Sequence, residues 1–144
     1  MATETDITVS LVRFADCREQ LLAVRREVFV LEQGVPEEIE VDGLDDACIH
    51  ALARRGQEVA GVGRMQTDGH IGRIAVRKPF RGKGVGREIM RSLVDEARRQ
   101  GIRSVYLHSQ TQACGFYETL GFVPVGEPFR EAGIPHTAMR LVLG

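Results

Sequence analysis

Apolar and polar residues alternate from Ile7 to Val12, the period of a half-buried strand. The period then lengthens. Leu21, Leu22, Val24, Val28, Phe29 and Leu31 recur at helical spacing. Asp16 and Glu19 have the spacing of a capping box at the start of that helix, and Gly34 with Pro36 ends it. Cys48 to Arg54 and Glu58 to Gln66 read as two strands hinged at Gly56, and Ile71 to Val76 as the next. Between Arg87 and Gln100, Ile89, Met90, Leu93, Val94 and Ala97 share one helical face, charges fill the other, and Gly101 supplies a C-terminal cap. Ser104 to His108 is a buried strand and Thr111 to Leu120 a short helix stopped by Gly121. Phe122 to Val125 and Ala138 to Leu143 are the last strands. The order β-α-β-β-β-α-β-α-β-β predicts an α/β fold, a mixed sheet covered by helices. Nothing reads as a linker or an internal repeat, so residues 1–144 are expected to form a single domain.

The strand Ile71 to Val76 runs into a turn rich in glycine and cations, Arg81-Gly82-Lys83-Gly84-Val85-Gly86-Arg87, which opens the long helix. Glycines let backbone N–H groups approach a ligand, and the first turn of a helix leaves its own N–H groups unpaired. That makes an anion cradle, and Arg81, Lys83 and Arg87 suit it to a phosphate-bearing guest. Spacing separates the kinds of phosphate loop. A nucleoside-triphosphate loop needs Lys followed by Ser or Thr after its second glycine, whereas here Lys83 precedes Gly84 and no hydroxyl follows. A dinucleotide loop needs a third glycine where Arg87 stands, and an acidic residue after the next strand, where Ser109 and Gln110 stand.

The segment Arg81 to Gly86 fits the pattern Q/R-x-x-G-x-G/A, and Ala113-Cys114-Gly115-Phe116-Tyr117-Glu118-Thr119-Leu120-Gly121-Phe122 follows at a fitting distance downstream. Together these blocks resemble the GNAT superfamily of N-acetyltransferases. The resemblance is strong from Ile71 to Phe122 and looser elsewhere. It implies a sheet that splays open near its middle to hold the pantetheine arm of acetyl-coenzyme A (acetyl-CoA). It also implies a bulged strand whose backbone at Ile74, Ala75 and Val76 faces the thioester, and a loop from Arg81 through Gly82, Lys83, Gly84, Val85 and Gly86 to Arg87 that binds the pyrophosphate. Ser109, Gln110 and Phe116 are further cofactor contacts, although many members carry Asn near Ser109.

Acetyl transfer to an amine needs a polarised carbonyl, a proton for the departing thiolate and a neutral nucleophile. An exposed N–H at the strand end answers the first need. Tyr117 matches the family's tyrosine and answers the second, since a phenol of pKa ~10 holds its proton at neutral pH and can give it to a thiolate. The packing alternative is a tyrosine that merely fills the core beside Phe116 and Leu120. The base stays open among Glu32, His50, His136 and a water relay to a distant carboxylate. A route through an acyl-Cys114 with His108 as base is the other chemistry the residues allow, although the resembled family transfers directly.

Composition narrows the partners. The chain of 144 residues has a net charge of −1, so no whole-molecule field points to nucleic acid or an anionic membrane. No apolar run approaches a membrane span, and the polar start of the chain lacks the order of a secretory leader. Three widely spaced cysteines and four scattered histidines make no C-x-x-C pair and no H-E-x-x-H helix. Free thiols, no metal and a cytoplasmic location are expected. From Glu32 to Asp46 the chain carries acidic residues and no Lys or Arg, either a solvated loop or a lure for a cationic amine. Arg25 with Val28 to Gln33, and Glu131 to His136, resemble a bacterial GNAT subgroup whose members mostly lack assigned substrates. Pro128, Gly133 and Pro135 shape the second segment as a loop between the last strands, expected to close over the acceptor. A small-molecule amine is the expected acceptor, with a protein amine or a non-catalytic acyl-CoA sensor as rivals. A homodimer is open.

Overall fold

A computed structural model describes residues 6–144; residues 1–5, at the start of the segment expected to lack a secretory leader, lie outside the described residues. β1 (Ile7–Arg13), β2 (Ile49–Arg55), β3 (Glu58–Met65) and β4 (Ile71–Val76) form an antiparallel sheet in chain order. β5 (Ser104–Gln110), β6 (Val123–Glu131) and β7 (Ile134–Val142) form a second sheet in the order β5-β7-β6. A parallel bridge between His70 and Tyr106 joins the two. Past that bridge β4 and β5 line opposite walls of a cleft, which is the splayed sheet expected.

Helices cover both faces. α1 (Phe14–Arg25) buries Phe14, Leu21 and Val24 against Leu52, Val62 and Ala75. On the opposite face α3 (Val85–Arg99) buries Val85, Ile89, Met90, Leu93 and Ala97. Full burial of such side chains stabilises by ~1.5–3 kcal/mol each. α3 lies close on β3 because Gly61 and Gly63 present no side chain. A Cβ at Gly63 would stand 2.6 Å from the Ile74 Cδ1 and 2.8 Å from the Ile89 Cγ2. This close seating fixes the helix N-terminus beside the end of β4.

Two expectations are corrected and one is refined. The capping box at Asp16 and Glu19 does not form: α1 starts at Phe14 with no side-chain cap, Cys17 has non-helical dihedrals, and Asp16 pairs with exposed Arg13 at 3.5 Å. The helix does stop just before Gly34, as expected, but its last stretch, Arg26–Glu32, winds as a π-helix in which Gln33 N–H donates to the Val28 carbonyl at 3.1 Å. The last two strands are longer than their apolar cores, so the expected loop from Glu131 to His136 is mostly strand. Glu131 pairs with Ile134 across a two-residue turn in which Ala132 and Gly133 have φ of 52° and 75°. Positive φ at both positions is the hairpin turn that matches strand twist. β6 is exposed over nearly its whole length, so its sequence shows no alternation to read.

Candidate active site

The cleft between β4 and β5 measures about 720 Å³ and is lined by Ile74, Ala75, Val76, Arg81, Leu107, His108, Gln110 and Tyr117, among others. Its shape begins with a bulge. Arg64 pairs with Gly72 and Val62 with Ala75, so two steps along β3 span three along β4, and Gly63 alone stands opposite Arg73 and Ile74. Such an insertion bends a strand and re-aims its backbone. Arg73 takes the strain, with φ of 52° in a region that non-glycine residues rarely occupy. It is held there by its guanidinium, which donates to the Glu40 carbonyl at 2.9 and 3.2 Å.

Beyond Val76 the chain makes a short 3₁₀ turn at Lys78–Phe80 and enters the glycine loop. Gly84 caps α3 with φ of 90°, leaving the first-turn N–H groups of Val85, Gly86 and Arg87 without helical acceptors. The backbone and lack of side chains at Gly82 and Gly84 fit an anion. A ring from α4 (Cys114–Thr119) comes up against the same turn: a Cβ at Gly86 would stand 3.4 Å from the Phe116 Cζ. Lys83 is exposed, and Arg87 reaches Thr119 Oγ1 at 3.4 Å. Val85 points into the core. Arg81 differs from the simple expectation of a free phosphate cation. Its guanidinium is paired with Glu32 at 2.7 Å and donates from Nε to the Val76 carbonyl at 2.9 Å.

Tyr117 is buried on α4 with its ring against Phe116 and Phe122, and among the described residues its hydroxyl has no hydrogen-bond partner. Burial, reinforced by Cys114, pushes its pKa up to about 12, so the phenol keeps its proton. Ser109 is buried with its hydroxyl donating to the Gln110 carbonyl at 2.9 Å, and Gln110 is the one on the cleft wall. Cys114 Sγ lies 3.9 Å from the Gln110 carbonyl, and His108 Nδ1 is engaged with Glu131 at 3.0 Å.

The three candidate bases part company. His50 does not line the cleft: it is buried under α1 against Phe14, with Nε2 2.9 Å from the Asp45 carbonyl, and burial lowers its pKa. Glu32 is held below the usual carboxylate range by its hydrogen bonds to Arg81. His136 does line the cleft, beside His70, His108 and Glu131.

The acidic segment is not a lure of bare charge. α2 (Glu37–Glu40) and a 3₁₀ turn at Asp45–Ala47 fold it against the sheet. Arg25 bonds Glu40 and, at 2.6 Å, Asp45; Arg64 bonds Asp45 at 2.9 Å and Asp42 at 2.5 Å; Arg26 pairs with Glu37 at 2.8 Å. Arg25, Glu40, Asp45 and Arg64 are all buried. Burial works against the charges of Asp42 and Asp45, but their arginine bonds win and hold both carboxyls below the ordinary range. The network anchors the wall of the cleft next to the bulge. Sequence reasoning named Arg25 and Glu131 only within segments that resemble a subgroup, and it foresaw neither this network nor the grouping of His70 with Glu131, because the partners lie tens of residues apart.

The sequence profile of the acetyltransferase (GNAT) domain matches residues 13–143. The uncharacterised N-acetyltransferase YjcF of Bacillus subtilis is 41% identical over 120 residues, covering 81% of this chain and 86% of the relative. The crystal structure of an acyl-CoA N-acyltransferase from Pseudomonas aeruginosa superposes with a TM-score of 0.83 at 33% identity, covering 94% of this chain and 99% of that one. Escherichia coli ElaA is 34% identical over 127 residues, 83% of each chain. Its crystal structure superposes with a TM-score of 0.82 over 92% of this chain and 98% of that one. The chain belongs to the GNAT acetyltransferase family, whose members draw an acyl group from an acyl-CoA and pass it to an acceptor.

Proposed function

We propose that the protein transfers the acetyl group of acetyl-CoA directly to a primary amine of a small molecule, as a single catalytic domain working in the cytoplasm. One observation carries this reading: a single cleft joins the bulged edge of β4, Arg81 beside the glycine-capped end of α3, and buried Tyr117. The pantetheine arm runs along the β4 edge, where backbone groups of Ile74, Ala75 and Val76 bind it as a further strand would and polarise the carbonyl. The pyrophosphate rests on the N–H groups from Gly82 to Arg87, with Lys83 supplying charge. Tyr117 gives its proton to the departing thiolate.

A small acceptor is favoured over a protein because the far half of the cleft is walled from both sides. Ile39 and Leu44 of the acidic segment stand on one side, and Glu131, Ala132 and Ile134 of the β6–β7 hairpin on the other. The test is release of coenzyme A thiol from acetyl-CoA with primary amines, including polyamines, aminosugars and amino-acid-like compounds, beside lysine-containing peptides. Turnover with a small amine supports the reading; turnover confined to peptides overturns its acceptor half.

A further inference from the structure

We propose that His108 is the base that takes the proton of the acceptor amine and that Glu131 positions it; the inference rests on the acetyl-transfer reading above. Strand register builds the site. Gln110 pairs with His136, Phe129 with His136, and Glu131 with Ile134. Side chains alternate along a strand, so His108, Gln110, Phe129, Glu131 and His136 share one face of the β5-β7-β6 sheet. That face looks toward the π-helical segment, since Gln110 Nε2 donates to Gln33 Oε1 at 2.8 Å.

The chemistry follows from which atoms are committed. His108 Nδ1 lies 3.0 Å from Glu131 Oε1. An ionised carboxylate only accepts, so Nδ1 carries the hydrogen and the Nε2 lone pair is left for the cleft. The ring is held edge-on to Phe129, with centroids 5.1 Å apart, and tilted against His70 at 4.8 Å. His108 is about a third exposed, at 31%, which a group that meets substrate and then returns its proton to water requires.

The other polar groups around this face are committed elsewhere or disfavoured as bases. Burial first, then the charge of His108, lowers the pKa of His70, against the opposing pull of Asp68 and Glu131. Tyr106, stacked on His70 at 4.5 Å, spends its hydroxyl on Asp68 at 2.6 Å. His136 Nδ1 is 2.7 Å from the Ile134 carbonyl, and its Nε2 is 3.8 Å from the other oxygen of Glu131. Arg64 is the cation that acts on His70 from β3, and it is neutralised by Asp42 and Asp45. Glu131 is thus the carboxylate on this face within hydrogen-bond reach of the His108 ring. Among the described residues no three of these groups are set to hold a metal ion.

In the reaction the amine nitrogen forms the C–N bond with the acetyl carbon and gives one proton to His108 Nε2. The C–S bond breaks with its electron pair on sulfur, which takes the proton of Tyr117. Solvent reprotonates the tyrosinate and removes the proton from His108, so the net products are the amide and coenzyme A thiol.

The test compares the wild type, His108→Gln, His108→Asn and Glu131→Gln, with acetyl-CoA and propylamine as a minimal acceptor. Thiol release is followed across the pH range in which histidine titrates. Both His108 variants are expected to lose ~10²-fold or more in kcat/KM, the yield of a positioned base. They should also lose the wild type's decline toward acid pH, and recover in part with added imidazole. Acetyl-CoA affinity and Tm should stay at wild-type values. Glu131→Gln should fall less and keep the wild-type KM. If the His108 variants keep the wild-type rate and pH profile, the base assignment is overturned while acetyl transfer stands. If the wild type binds no acetyl-CoA, or binds it and acetylates no amine, the acetyl-transfer reading fails and the base falls with it.

Discussion

Arg81 and Glu32 meet as a two-pronged ion pair, Nη1 on Oε2 and Nη2 on Oε1, each at 2.7 Å. The pair links the π-helical segment to the glycine loop, and it commits the arginine that the loop's sequence offers to phosphate. Both side chains are about two-fifths exposed, at 39% and 42%, so the pair is worth only ~0–1 kcal/mol. A polyanionic ligand can therefore compete with Glu32. Glu32→Gln frees the guanidinium and removes a like charge from the ligand's path. The expected result is tighter acetyl-CoA binding, by up to ~5-fold, in calorimetric titration at low salt. Weaker binding would make Glu32 a support for Arg81 instead of its competitor.

Tyr117→Phe isolates the proton donor. Because the hydroxyl has no hydrogen-bond partner among the described residues, its removal leaves the packing against Phe116 and Phe122 intact. Turnover should fall by ~10²-fold with acetyl-CoA affinity unchanged, the result expected when a positioned acid is removed. A sensor without turnover would show no difference between the two proteins in any binding measurement, and the wild type would release no thiol.

Removing one member of the buried ion network should cost more than removing a surface pair. Asp45→Asn leaves Arg25 and Arg64 short of a partner in a buried site, so a loss of ~3–5 kcal/mol is expected in urea unfolding. The pH dependence has a definite sign. The folded-state pKa values of Asp42 and Asp45 lie below their unfolded values, so their contribution is complete above about pH 4 and is lost as pH falls through the folded values. Tm should drop in that acid window in the wild type and drop less in Asp45→Asn.

Gly63→Ala tests the seating of α3. The added Cβ would lie 2.6 Å from Ile74 and 2.8 Å from Ile89, so the helix must lift or Ile74 must move at the cleft wall. Overpacking of this kind costs ~1–3 kcal/mol. A matching fall in acetyl-CoA affinity is expected, because the same shift displaces the helix end from β4.

The parts legible in the sequence are those whose cause is local. α3 shows in the spacing of Ile89, Met90, Leu93, Val94 and Ala97, and the cradle in three glycines beside three cations. The illegible parts depend on strand register. Nothing near His108 announces Glu131, which is brought to it by two strand pairings. The acidic segment read as open charge because Arg25, Arg64 and Arg73, which neutralise it, lie on other elements. The part of β6 beyond Val125 escaped because an edge strand so exposed has no hydrophobic period, and Ala132 stands where a hairpin turn usually signals itself with Asn or Asp.

Calorimetric titration of the protein with acetyl-CoA, beside NAD and ATP at the same salt, tests the central claim most directly. The cleft and cradle predict selective, micromolar binding of acetyl-CoA that persists in Tyr117→Phe. Failure to bind acetyl-CoA, or equal binding of all three, would contradict the account and return the glycine loop to an ordinary basic turn.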